Sequence, residues 1–217
     1  MTAEVAAFRW VPPFAQGFVR DLRVRWALEE AGLPYSVALI DLDSRDDYRA
    51  WQPFGQVPAY RDDEVEMFES GAIVLHIAAK SPALSPGDAA GRARMTTWVF
   101  AAMNSVEPHA QNFIQLDDNA GEDWAKAYRE RVEAALMGRL NALSAWLGER
   151  DYLEDRFTAA DLMMTTVLRE LVDSGMLARF SNLDAYRARC EARAAFAAAL
   201  EAQMQVFREN APEDKGT

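Results

Sequence analysis

The chain has 217 residues and a mass of 24.3 kDa, half hydrophobic and 26% charged, which is the size of one large domain or two small ones. A single cysteine and two histidines exclude an internal disulfide framework and a Cys/His zinc site, and no metal is expected. A net charge of -11 opposes broad attraction to nucleic acid or anionic lipid, and no run approaches the roughly 18 apolar residues of a membrane span.

The opening MTAEVAAFRW lacks a basic start followed by an apolar run, so it does not read as a secretion signal and a cytoplasmic protein is expected. Glu4–Trp10 is predicted as a strand. In Val19–Ala31, the residues Leu22, Val24, Leu28 and Ala31 fall near helical spacing, and Gly32 and Pro34 stop the helix. Tyr35–Leu42 is an apolar run rich in β-formers and reads as a second strand. Val57–Tyr60 and Val65–Phe68 flank the polar Arg61-Asp62-Asp63-Glu64, which suits a hairpin turn. Ser70 then starts a helix with Ile73, Val74 and Ile77 on its inner face. The order βαβ then ββα predicts a compact α/β domain over residues 1–80.

Residues 81–87, with two prolines, two serines and a glycine, read as a linker. Strand signals then vanish. Residues 88–212 are rich in Ala, Leu, Arg and Glu, with polar breaks at 117–123, 148–151 and 180–184, and predict an all-helical domain of four or five helices. Residues 213–217 read as a disordered tail. The acidity is even, with net -5 over 1–80 and -6 over 81–217, as for a solvated surface rather than a docking tail.

Three stretches together resemble the cytosolic glutathione S-transferase family of bacterial type. Leu22–Tyr35 (LRVRWALEEAGLPY) is similar to the family's first helix and its exit into the second strand. Pro53–Tyr60 (PFGQVPAY) resembles the Gln-Val-Pro turn of the glutathione site, and Phe68–Ile73 (FESGAI) the Glu-Ser pair that opens the helix after the hairpin. Their order, followed by a linker and a helical domain, carries the resemblance over essentially the whole chain. It implies a thioredoxin-like α/β N-terminal domain followed by an all-α helical bundle, glutathione as co-substrate, a homodimer, and a role in detoxification.

The matched residues suit a tripeptide bearing two carboxylates. Val57 precedes Pro58, which biases it to extended geometry and leaves its peptide groups for an added strand. The resemblance implies that this proline is cis. Gln56, Val57 and Pro58 would thus form one side of the ligand site. Glu69 and Ser70 stand at a helix start, where free N–H groups favour a carboxylate. Glu69 reads as the acceptor for the ligand's ammonium group and Ser70 as a donor to its α-carboxylate, against the plainer readings of a surface acid and an ordinary N-cap. Arg45 lies where the family often supplies a cation to the glycine carboxylate, with Ser44 and Arg49 as alternative alignments. Phe157-Thr158-Ala159-Ala160-Asp161 is a capping-box pattern ahead of LMMTTVL, which makes Asp161 a structural cap rather than a catalyst.

The sequence departs from the family where the thiol is activated. A thiol of pKa about 8.5 is held as thiolate by a hydrogen bond, usually from a Tyr or Ser after the first strand. Here that loop is Trp10–Val19 (WVPPFAQGFV), and no Tyr, Ser, Thr or Cys lies between Thr2 and Tyr35. Cys190 is far away in the helical domain. The remaining donors are backbone N–H groups of Gly17, Phe18 and Val19, with Gln16 or Arg20 as side-chain candidates or as plain loop residues. An acceptor substrate is expected against the first helices of the second domain, where Trp98, Phe100, Met103, Asn104, Pro108 and His109 occur, with Trp10 and Phe14 contributed by the first. Individually these also suit an apolar core, and His109 suits a structural hydrogen bond. Pro108 predicts a kink. The leading expectation is an enzyme that conjugates glutathione to a small apolar electrophile through main-chain activation. The alternative is a glutathione-binding or interaction module of the same fold without transferase activity.

Overall fold

The computed structural model describes residues 2–41 and 46–212, which divide between two compact units, one drawn from 1–81 with 194–217 and the other from 82–193. In the first unit, β1 (Ala3–Phe8) runs parallel to β2 (Tyr35–Ile40), with Ala3 opposite Tyr35 and Phe8 opposite Ile40. The 5–7 stretch of β1 is buried, as befits an inner strand covered on both faces. Between the two strands runs α1 (Asp21–Ala31), ended by Gly32 in the left-handed conformation (φ 65°). Leu33 N–H there reaches back to the Leu28 carbonyl at 3.0 Å.

The hairpin follows as β3 (Ala59–Arg61) and β4 (Glu66–Phe68), antiparallel to each other, with β3 antiparallel to β1. The sheet order is β2-β1-β3-β4. Its turn is tied by Asp62, whose Oδ1 accepts the N–H groups of Glu64 (2.8 Å) and Val65 (3.0 Å). After β4 comes α2 (Ser70–Ala79), which buries Ile73, Val74 and Ile77 as its spacing predicts. The βαβ–ββα thioredoxin-like order is thus present. Val57 and Pro58 stand outside β3, since proline has no N–H to give a ladder.

The second unit is helical. Asp88 caps α3 (Ala89–Phe100) by accepting Gly91 N–H at 2.8 Å. A π-helical turn over Ala101–Val106 leads into α4 (Glu107–Asp118), with Pro108 in its first turn. In a regular helix the Pro108 ring would meet the Asn104 carbonyl, and the backbone widens at that turn. Next come α5 (Asp123–Leu147), α6 (Ala159–Arg169) and α7 (Ser181–Glu191). The last helix, α8 (Ala194–Glu209), falls in the first unit, whereas the sequence reading placed it in one helical domain over 88–212. Its pairing with α1 is explicit: Phe196 meets the buried Trp26 edge-on at 4.8 Å, and Gln203 Nε2 donates to Asp21 Oδ1 at 2.7 Å. Residues 89–209 therefore hold six α-helices rather than four or five, because the π turn over Ala101–Val106 divides α3 from α4 and a short break divides α7 from α8, neither of which the polar breaks in the sequence mark.

The capping box forms as the sequence predicts. Thr158 N–H donates to Asp161 Oδ2 (2.9 Å), and Thr158 Oγ1 accepts Ala160 N–H (3.3 Å). Asp161 Oδ1 also accepts Leu153 N–H (2.8 Å) and the Tyr186 hydroxyl (3.0 Å). Burial raises the Asp161 pKa, while these donors pull it down. Asp161→Ala leaves buried donors without an acceptor, so chemical denaturation is expected to show a loss of about 2–4 kcal/mol. An unchanged unfolding midpoint would contradict this role.

Candidate functional site

The site builds on the entry to α1. Eight consecutive residues, Asp21 to Leu28, are buried, so polar side chains on this helix must find partners inside the protein. Asp21 Oδ2 accepts Arg25 Nε at 2.7 Å, and Gln203 Nε2 donates both to Asp21 and to the Val19 carbonyl (3.1 Å). Burial raises the Asp21 pKa against the opposing pull of Arg25. This network pins Val19, where the loop after β1 enters the helix. Gly17, upstream in that loop, takes φ +82°, a conformation that L side chains rarely adopt, and a Cβ there would lie 3.4 Å from Leu200 Cδ1.

Val19 packs on a small cluster of Ala6, Tyr48, Val57 and Ala59, with Phe8, Ile40, Trp51 and Phe68 around it. The cluster brings the loop after β1 beside the Gln56-Val57-Pro58 turn. That turn is held at Gln56: the Tyr48 hydroxyl donates to its carbonyl at 2.7 Å, and the buried Gln52 Oε1 accepts its N–H at 3.1 Å. Burial pushes the Tyr48 hydroxyl well above its ordinary range, so it stays a proton donor. The Val57–Pro58 peptide is cis. Among the described residues, neither the Val57 backbone nor the Val19 N–H has a hydrogen-bonding partner.

At the start of α2, Glu69 is exposed and takes φ 74°, the one non-glycine with positive φ among the described residues. Such a conformation costs on the order of 1–3 kcal/mol and needs surroundings that hold it. No side chain caps α2, so Ser70 is not its N-cap. The Ser70 side chain is buried, and its Oγ accepts from Arg23 Nη1 at 3.3 Å. Amides at Ser70, Gly71 and Ala72 thus form an uncapped, positive helix end.

Other expected residues fall differently. Phe18 N–H donates to the Ala15 carbonyl at 3.1 Å, which takes it out of the set of amides open to a thiol. Gln16 spends its side-chain donor on the Val11 carbonyl (3.0 Å), bracing its own loop. Arg20 is exposed at the N-cap position of α1. Arg45, and Ser44 with it, lie outside the described residues, as do 213–217; Arg49 donates to the Pro53 carbonyl at 3.3 Å. On the first unit Trp10 is half-buried and Phe14 is 84% exposed. On the second, Phe100 is 55% exposed, Met103 and Asn104 sit on the π turn, and the half-buried His109 lies in α4. Sequence reasoning missed Arg23, Tyr48 and Gln52. Away from this site, Asp62, Glu64 and His76 bring three ligand-type atoms within 4.8 Å, but Lys80 Nζ already sits on Asp62 (2.6 Å) and Glu64 (3.0 Å).

Residues 22–86 match the N-terminal domain family of glutathione S-transferases. The chain is 30% identical over 152 residues to glutathione S-transferase 3 of Zea mays, covering 64% of this chain and 68% of that protein. It is also 30% identical over 155 residues to a glutathione S-transferase of Silene vulgaris, covering 64% and 71%. The chain belongs to the glutathione S-transferase family. In three dimensions it is similar to a Burkholderia graminis glutathione transferase at 25% identity, with a TM-score of 0.80 over 92% of this chain and 88% of that one. That protein was crystallised with two glutathione molecules bound per subunit.

Within this family member, Cys190 plays no part in the site. It is buried in α7, and burial pushes its thiol up to about 12. An aromatic disulfide reagent at pH 8 is expected to modify no thiol in the native protein and one per chain after denaturation. Rapid modification of the folded protein would contradict this placement.

Proposed function

We propose that this chain binds glutathione on its first unit, lowers the thiol pKa with the Val19 amide, and transfers the thiolate to a small apolar electrophile. The observation that carries the reading is the pair of open peptides at Val19 and Val57 on one packed cluster. An extended tripeptide would lay its cysteinyl backbone along Val57 as an added strand. Its γ-glutamyl carboxylate would meet the uncapped start of α2 and the Ser70 hydroxyl, and its ammonium group would meet Glu69. Gln56 and Pro58 hold the turn, and Gly17 shapes the loop. The glycine carboxylate is left to Arg45. With both ligand carboxylates held locally, binding proceeds against the chain's net charge of -11.

An amide N–H aimed at sulfur stabilises the thiolate over the thiol, as a hydroxyl does elsewhere, and leaves no side chain to titrate. In the transfer, the sulfur lone pair forms the new S–C bond, the leaving group departs with its electron pair, and the thiol proton has already passed to solvent. Exposed Phe14 and Phe100 each offer apolar surface on their own unit, and Trp10, Met103, Asn104 and His109 are the further candidates for contacting the acceptor. The reading carries with it the homodimer, the cytoplasmic location and the detoxifying role that the family resemblance implies.

The hydroxyl-free loop favours a second reading, a glutathione binder without transferase chemistry. Ultraviolet thiolate absorbance of bound glutathione, titrated against pH, separates the two. The transferase reading expects a thiol pKa at least one unit below that of the free tripeptide, a stabilisation of the bound thiolate by about 1.4 kcal/mol or more. Binding with an unshifted pKa leaves only the binder, and absence of binding at millimolar glutathione contradicts both.

A further inference from the structure

Arg23 reads in the sequence as a polar residue between Leu22 and Val24, of the kind that faces water on an ordinary helix. It is instead 2% exposed, and its Nη1 lies 3.3 Å from Ser70 Oγ across the interface of α1 with α2. The chemistry of the two groups fixes the direction of that bond. A guanidinium has five donors and no acceptor, whereas a serine hydroxyl has one hydrogen and two lone pairs. Ser70 must therefore accept from Arg23, and its own hydrogen is left for a different acceptor. The same geometry sets the Arg23 guanidinium beside Ser70, the first residue of α2, where no side chain caps the helix.

We infer that Arg23 is a positioning residue for carboxylate recognition: it holds Ser70 as a hydrogen-bond donor and adds its charge to the positive end of α2. The inference rests on the glutathione reading above, and the carboxylate concerned is the α-carboxylate of the γ-glutamyl group. Arg23 acts through Ser70 and the field at the helix start. Its removal costs discrimination for that carboxylate, while contacts along the rest of the tripeptide remain.

Calorimetric titration of the full chain at neutral pH tests this with two peptides, glutathione and its 4-aminobutyryl analogue, which lacks only that carboxylate. The wild-type protein binds glutathione more tightly than the analogue. Arg23→Met weakens glutathione binding by about ten- to a hundredfold, the scale of one charge-assisted hydrogen bond, and weakens the analogue by less than about threefold. Arg23→Lys restores part of the preference. In a Ser70→Ala background, Arg23→Met has a smaller effect than in the wild type, because the two act through one contact. Should Arg23→Met fail to fold by thermal unfolding, Arg23→Gln keeps a donor without the charge and permits the same comparison. Equal weakening of both peptides, or none, overturns the inference while leaving the glutathione reading intact. Failure of the wild-type protein to bind either peptide overturns that reading, and this inference with it.

Discussion

One helix carries three charged side chains into the interior, and much of the first unit is arranged around giving them partners. Asp21, Arg23 and Arg25 all lie on the buried stretch of α1. An unpaired charge at such a position costs several kcal/mol, so each must be met by a specific group. Arg25 pairs with Asp21, Gln203 of α8 completes Asp21, and Arg23 reaches Ser70 at the start of α2. These contacts tie α8 to α1, fix the carbonyl of Val19 where the loop enters the helix, and orient the hydroxyl at the start of α2. Packing and chemistry thus share one set of bonds. The residues that give the charges of α1 their partners also border the proposed glutathione site.

The absent hydroxyl takes on a different meaning in this frame. Where the family resemblance implies a Tyr or Ser hydroxyl, this loop has none, and the proposed donor is a peptide N–H. Two of its amides are distinguished by their bonding: Phe18 N–H is committed to Ala15, and Val19 N–H is open among the described residues. A peptide donor carries no proton that titrates near neutrality, and its position depends on backbone geometry. The bonds that pin that geometry, Gln203 to the Val19 carbonyl and Gln16 to the Val11 carbonyl, come from glutamine side chains on either side of it. The clamp on Gln56 by Tyr48 and Gln52 is the matching device on the other side of the cluster.

The sequence conveyed the order of elements because local signals set it. Gly32 stops α1, Asp62 ties the hairpin, and Thr158 with Asp161 opens α6, all through contacts a few residues apart. It conveyed the Gln56-Val57-Pro58 and Glu69-Ser70 pair through resemblance. It could not convey that Arg23 is buried, since the face of α1 that looks polar is covered by elements distant in the chain. Helix α8 begins more than 160 residues after α1 ends, and its apolar spacing is the same whichever unit it joins. Tyr48 lies in a single 3-10 turn (Asp47–Ala50) and Gln52 just beyond it, too short a stretch to show a periodicity, so only the folded backbone places them on Gln56.

The resting place of the glutathione sulfur decides between main-chain activation and its alternatives. A crystal structure of this chain with glutathione bound tests it most directly. The sulfur is expected within about 3.5 Å of the Val19 amide nitrogen, with the cysteinyl backbone paired antiparallel to Val57. A sulfur held by a side chain, or a tripeptide bound away from the Val57 turn and the start of α2, would contradict it.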